Sequence, residues 1–221
     1  MSDWDGSVRC ENLSPECYRA HNLPYRDDRP CMRFENILST NECINILRNI
    51  ETMHSTTCSS LDPGARSQFS VDDPELSKMI WDRLKRFVPP TLDGGIVVGL
   101  ETNWRHGMYF EGQSVFAHMD FRHYEKEDEN VASRLSFTLY LNESFNNGET
   151  AFVLGPIGLN GSHGDIYLKS VPKTGGAILF YQTVPEYMHA AEIVRSGKKY
   201  IMRSDVMYRF PNKAAARAEA Y

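Results

Sequence analysis

Hydrophobic and polar positions along this chain change period twice. Residues 1–31 show neither a helical nor a strand period and are rich in Pro, Asn, Asp and Arg, so they read as an irregular N-terminal arm. From Met32 the pattern sharpens. Arg33-Phe34-Glu35-Asn36-Ile37-Leu38 reads as a short strand, and Ser39-Thr40-Asn41-Glu42 offers a helix cap with an acidic first turn. Cys43, Ile46, Leu47 and Ile50 then follow at helical spacing. Residues 53–73 are polar and turn-like. A second amphipathic helix runs from Pro74 through Met79, Ile80, Leu84 and Phe87 until Pro89-Pro90 stops it.

Beyond Pro90 the period shortens to that of strands. Ile96 to Leu100, Met108 to Ala117, Leu135 to Leu141, Ala151 to Leu154, Asp165 to Leu168, Ala177 to Phe180 and Lys199 to Tyr208 form the set, with Asn146-Asn147-Gly148 as a turn. Many short strands separated by turns indicate an antiparallel sandwich or barrel. The expected fold is mainly β with flanking helices: a double-stranded β-helix, or jelly roll, over residues 32–221, buttressed by N-terminal helices and preceded by the arm. No internal repeat is present.

Composition narrows the function classes. A chain of 221 residues with 41% hydrophobic and 24% charged residues is one ordinary globular domain. A net charge of -5 gives a nucleic acid or an anionic membrane nothing to attract, so neither is expected as a partner. Arg195, Lys198, Lys199, Arg203 and Arg209 gather late but interleave with apolar residues at strand spacing, which suits a pocket or a strand face. The cysteines (Cys10, Cys17, Cys31, Cys43 and Cys58) are odd in number and lack any C-x-x-C pair, so they read as reduced structural thiols. The first residues lack the basic-then-apolar pattern of a signal peptide, and no stretch is long enough to span a bilayer. A soluble, cytoplasmic protein is the expectation.

The candidate chemistry lies in His118-Met119-Asp120. In an extended segment, residues two apart share a face, so His118 and Asp120 project together. His189, from a distant strand, can close a set of two imidazoles and one carboxylate. That set is the ligand set of a non-haem Fe(II) site with positions left open for a co-substrate and O₂. A histidine in a strand is more often a packed side chain than a ligand, and His21, His54, His106 and His163 receive that reading. His123 lies near Asp120 but inside a polar run, residues 122–130, that looks like a solvated loop.

With these residues in place the chain resembles the Fe(II)- and 2-oxoglutarate-dependent dioxygenases, in particular the prolyl 4-hydroxylase-like branch. Phe34 to Ser39 followed by Glu42-Cys43 resembles its opening strand and helix. Tyr109-x-x-Gly112-Gln113-x-x-Phe116-x-His118-x-Asp120 is similar to its iron-binding strand and loop. Tyr140-Leu141-Asn142 with Gly148-Glu149-Thr150, the run Pro172 to Phe180 leading into His189, and Gly197 to Tyr208 follow in the family's order. The likeness spans residues 33–209.

The resemblance implies a hydroxylase that converts 2-oxoglutarate and O₂ to succinate and CO₂, with ascorbate as a reductant. It implies a jelly-roll core and a buried cation for the far carboxylate of 2-oxoglutarate. Lys199 follows His189 at the family's spacing, and Arg203, on the same strand face, is its rival. Tyr140 matches a phenol that reaches that carboxylate, and Tyr109 a pocket tyrosine; ordinary core packing is the alternative for both. Arg105-His106-Gly107-Met108-Tyr109 departs from an aromatic-rich family segment, and Ala190-Ala191 follows His189 where a glutamate and a glycine are common. Those departures bear on the substrate, which is a prolyl residue of a peptide or a small molecule. Two other classes compete: an inactive jelly-roll module that binds a metal or a partner, and a cupin-type metal enzyme that works without 2-oxoglutarate.

Overall fold

The computed structural model describes residues 3–57, 67–154 and 164–218. Cys58, His163, residues 58–66 of the expected loop 53–73 and residues 155–163 of the expected loop 155–165 lie outside the described residues. The first elements are β1 (Arg9–Asn12), α1 (Ser14–Ala20), β2 (Cys31–Glu35), α2 (Thr40–Thr57), β3 (Ser67–Asp72) and α3 (Pro74–Leu84). Then come β4 (Thr91–Leu92), β5 (Gly95–Leu100), β6 (Asn103–Tyr109), β7 (Val115–His118), β8 (Val131–Tyr140), β9 (Phe145–Asn147) and β10 (Thr150–Val153). The chain closes with β11 (Ile166–Ser170), β12 (Ala177–Tyr181), β13 (His189–Ala191), β14 (Val194–Gly197), β15 (Lys199–Arg209) and α4 (Lys213–Arg217).

Two antiparallel sheets face each other. The larger runs β1-β2-β12-β8-β15, and the far edge of β15 is shared by β6 and β5, with β3 beyond β6 and β4 beyond β5. The smaller runs β11-β10-β13-β7, and β14 pairs β9 in a short ribbon. This is the expected jelly roll. Helices cover the outer face of the larger sheet: Trp104 of β6 packs edge-on to Phe137 of β8 and donates from Nε1 to Ser77 Oγ of α3 at 2.8 Å.

Local signals explain the helices. Ser39 Oγ accepts from Glu42 N at 3.1 Å while Glu42 Oε2 accepts from Ser39 N at 2.9 Å, a reciprocal cap that starts α2. Asp73 caps α3 by accepting from Leu76 N at 2.9 Å, with Pro74 in the first turn. Glu42 then pairs with Arg83 at 2.8 Å, both side chains mostly buried, and so ties α2 to α3.

Three expectations are corrected. The irregular reading of residues 1–31 gives way to β1, which pairs with β2 from Arg9↔Glu35 to Asn12↔Met32, and to α1. All four β1 side chains are exposed and α1 has seven residues, so neither leaves a readable period. The polar stretch 53–73 includes the end of α2 and β3, which alternates half-buried and exposed. The expected strand from Met108 to Ala117 is broken into β6 and β7, with Gly112 at φ 85° between them. Among the described residues, no helix is long and apolar enough to cross a membrane.

The polar positions of β8 also acquire a meaning. Every residue of this strand is buried, including Ser136 and Thr138. Ser136 and Thr138 share a face, opposite Asp205 and Arg203 of β15, and Thr138 and Arg203 line one cavity between the sheets. Alternation here separates a functional interior from an apolar underside, rather than core from solvent.

Candidate active site

His118 ends β7 and His189 begins β13, and the two are direct partners in the antiparallel ladder, with ring centroids 4.5 Å apart. Asp120 lies just past the strand end, where its backbone carbonyl accepts from Thr183 N at 3.1 Å. The extended geometry expected through Asp120 stops at His118, yet the carboxylate still meets both rings. His118 Nε2 is 3.5 Å from Asp120 Oδ1, and His189 Nε2 is 3.8 Å from Asp120 Oδ2. One atom from each of the three residues falls within a 4.8 Å group, the only such cluster among the described residues.

The backbone sets both imidazoles. His118 Nδ1 lies 2.9 Å from the Phe116 carbonyl, and His189 Nδ1 lies 3.0 Å from the Tyr187 carbonyl. A carbonyl only accepts, so each Nδ1 carries the proton and each Nε2 presents a lone pair to the centre. Phe180 packs against His189 at 4.6 Å between centroids and fixes its ring plane. Burial pushes His189 down to about 4, so it is neutral at physiological pH.

Asp120 is the electrostatic hinge. Burial would raise its pKa, but Arg203 and His189 overcome that and hold the carboxyl far below the usual range. Arg203 Nη2 lies 2.9 Å from Oδ1, whereas Oδ2 is buried without a hydrogen-bond partner. A buried, charged, unpartnered oxygen beside two lone pairs is a donor set that fits a divalent cation.

A cavity opens beside the three residues, lined among others by Tyr109, Thr138, Thr150, Lys199, Ile201 and Arg203. As alternation requires, Lys199, Ile201 and Arg203 all face it. Lys199 is buried, donates from Nζ to the Gly148 carbonyl at 2.6 Å, and sits 4.8 Å and 5.9 Å from the ring centres of Tyr109 and Tyr140. Gly148 holds φ 82°, and a Cβ there would come within 3.5 Å of the Lys199 chain. Tyr140 Oη bonds Thr150 Oγ1 at 2.8 Å, and burial pushes its pKa up to about 12, so it remains a phenol. Thr138 and Thr150 were not singled out from the sequence; only strand pairing shows that they face this space. His123 is not in the cluster; its Nε2 is 3.0 Å from Glu101 Oε1.

Residues 105–204 match the model of the 2OG-Fe(II) oxygenase superfamily, a span that holds all of the cavity residues. Over that segment the chain is similar to this superfamily. The 2OG-Fe(II) oxygenase fold is shared with solved structures. A viral collagen prolyl hydroxylase from Paramecium Bursaria Chlorella virus-1, in complex with 2OG, superposes with TM-score 0.57 at 19% identity over 81% of this chain and 95% of that one. A prolyl-4-hydroxylase from Pseudomonas putida gives 0.56 at 15% identity, over 82% and 93%. A Trichoplax adhaerens prolyl hydroxylase, in complex with a hypoxia inducible factor peptide fragment, gives 0.57 at 15%, over 94% and 93%. No curated protein sequence matches the chain significantly. The protein is a 2-oxoglutarate-dependent dioxygenase using Fe(II), with a prolyl 4-hydroxylase-like fold.

Proposed function

We propose that His118 Nε2, His189 Nε2 and Asp120 Oδ2 hold Fe(II), and that Lys199 receives the far carboxylate of 2-oxoglutarate. The reaction is hydroxylation of an unactivated C–H. The observation that carries this is the orphaned Oδ2 facing two imidazoles whose Nδ1 atoms are tied to backbone carbonyls. Such carbonyl bonds orient a metal-bound histidine and raise its basicity. Bound Fe(II), with 2-oxoglutarate and O₂, supplies the oxidising power, and the co-substrate leaves as succinate and CO₂.

The chain's own residues divide the remaining work. Arg203 touches Asp120 and therefore lies beside the metal, whereas Lys199 is four residues along the same strand, roughly 13 Å away at the usual rise. A co-substrate held at one end by the metal would extend toward Lys199, where the phenol of Tyr140 and the hydroxyl of Thr150 would add donors. Tyr109 packs against the ammonium and excludes water. Ascorbate serves as reductant when turnover is uncoupled. The substrate is a peptide or a small molecule; the peptide bound in the Trichoplax complex illustrates the former in that fold. Free Cys17, Cys31 and Cys43 suit a reducing compartment such as the cytoplasm.

The test is anaerobic addition of Fe(II) and 2-oxoglutarate, read by the visible charge-transfer band of the chelate. Wild type should develop a band that requires both, and Asp120→Ala and Lys199→Ala should weaken it. A metal-loaded wild type without the band would overturn the reading.

A further inference from the structure

A second charged cluster adjoins the metal-binding residues on the side away from Lys199. Arg203 stands directly opposite Arg105 in the β6–β15 ladder, so two guanidinium groups occupy one face of the sheet. Like charges in direct cross-strand register repel, and a fold keeps them only where something compensates. Each has one nitrogen committed to a carboxylate. Arg203 Nη2 meets Asp120 at 2.9 Å, and Arg105 Nη2 meets Asp205, whose other oxygen accepts from Gln182 Nε2 at 3.0 Å. A guanidinium offers five donors, and the Nε of both Arg105 and Arg203 is buried without an acceptor.

A third orphan has the opposite sense. Glu101 Oε2 is buried with no hydrogen-bond partner, 3.8 Å from Arg105 Nη2, while Oε1 is engaged by His123 at 3.0 Å. Two spare donors and one spare acceptor thus sit in a single cluster that Arg203 joins to Asp120 and to the cavity. Buried groups of this kind are normally satisfied, and the missing partner has a definite chemistry. It needs a planar anion with two oxygens, next to a hydrogen-bond donor.

We propose that Arg105, Arg203 and Glu101 form the head-group site of the substrate, which is an α-amino or α-hydroxy acid, free or as the end of a chain. Its carboxylate lies between the two arginines and its ammonium or hydroxyl donates to Glu101. This rests on the dioxygenase reading above, with 2-oxoglutarate on the Lys199 side. Arg203 then serves both ligands of the site, steadying Asp120 and holding the substrate acid.

The test uses protein loaded with Mn(II) and saturating 2-oxoglutarate, titrated calorimetrically with free L-amino acids, the corresponding primary amides, and L-lactate. At least one acid should bind wild type tenfold or more tightly than its amide, and Arg105→Gln should erase that preference. Arg105→Lys keeps the Asp205 pair but lacks the Nε donor, and it too should lose the preference should the glutamine variant fail to fold. Acids that bind no better than amides would overturn the proposal. So would Arg203→Gln weakening pyruvate and 2-oxoglutarate by equal factors with no effect on the acids, since the carboxylate would then be the co-substrate's own. Failure of the dioxygenase reading shows separately, as wild type that does not bind 2-oxoglutarate at all.

Discussion

Asp120 gives its two oxygens different tasks, and that division is the most exacting feature at the scale of single residues. Oδ1 is held by Arg203, and Oδ2 is buried without a hydrogen-bond partner, as the proposed cation requires. Asp120→Asn keeps the shape but removes the charge that both partners require. Metal affinity should fall by more than the roughly 10–100-fold typical of losing a supporting hydrogen bond, measured by Mn(II) titration. Lys199→Ala should separate the two functions. It removes a charge-assisted partner worth about 1.5–3 kcal/mol, so 2-oxoglutarate affinity should drop roughly tenfold or more while Mn(II) binding changes little. An equal loss of both would remove Lys199 from the role assigned to it. The meeting of His118, Asp120 and His189 was expected from the H-x-D spacing together with the family resemblance, although the alternation invoked for it ends with β7 at His118 and Asp120 reaches the rings from just beyond the strand. Thr138 and Thr150 were not, since nothing local distinguishes a threonine facing a cavity from one facing solvent.

Among the elements, the junction of α2 with α3 concentrates the most interactions on one side chain. Glu42 completes a helix cap and pairs with a largely buried Arg83, whose guanidinium also stacks on Trp4 at 4.1 Å and donates to the Ile37 carbonyl. Glu42→Ala removes the cap and strands the arginine, and should cost about 3–5 kcal/mol; Glu42→Gln should cost less. Urea unfolding checks both, and equal losses would mean that charge is not what matters. Gly175 makes a second junction, at φ 76°, where a Cβ would fall 2.0 Å from the Leu38 carbonyl oxygen. Gly175→Ala should destabilise by at least about 2 kcal/mol, seen as a lower Tm. Helix caps made α2 and α3 readable and alternation most of the later strands, but not β3 or the break between β6 and β7. β1 escaped because a strand with all four side chains exposed is held by backbone bonds to β2, which leave no mark on composition.

Acidity acts on the molecule as a whole. Burial pushes both His106 and His189 down to about 4, His106 while stacked on Phe69 at 5.0 Å between centroids. Unfolded histidine takes up a proton near 6.5. Between about 6.5 and about 4 the unfolded chain therefore binds more protons than the folded one, and stability falls as pH falls through that window. Each histidine can contribute up to about 3 kcal/mol to that loss. Urea midpoints of the metal-free protein should decline between pH 7 and pH 5, and His106→Phe should flatten the slope. A variant as acid-sensitive as wild type would show that His106 is not a source.

The pairing of His118 with His189 has a consequence for how the chain finds its arrangement. β7 has four residues and lies at the edge of the smaller sheet, joined among the described residues only to β13, with an irregular register between His189 and Ala191. So short a strand has little to prevent it sliding, and a slip of one residue would turn every side chain to the other face. A cation bridging the two histidines is compatible with one alignment alone. Metal capture would thus act as a proofreading step for strand registration, with backbone amides of β7 exchanging with solvent more slowly once the ion is in place.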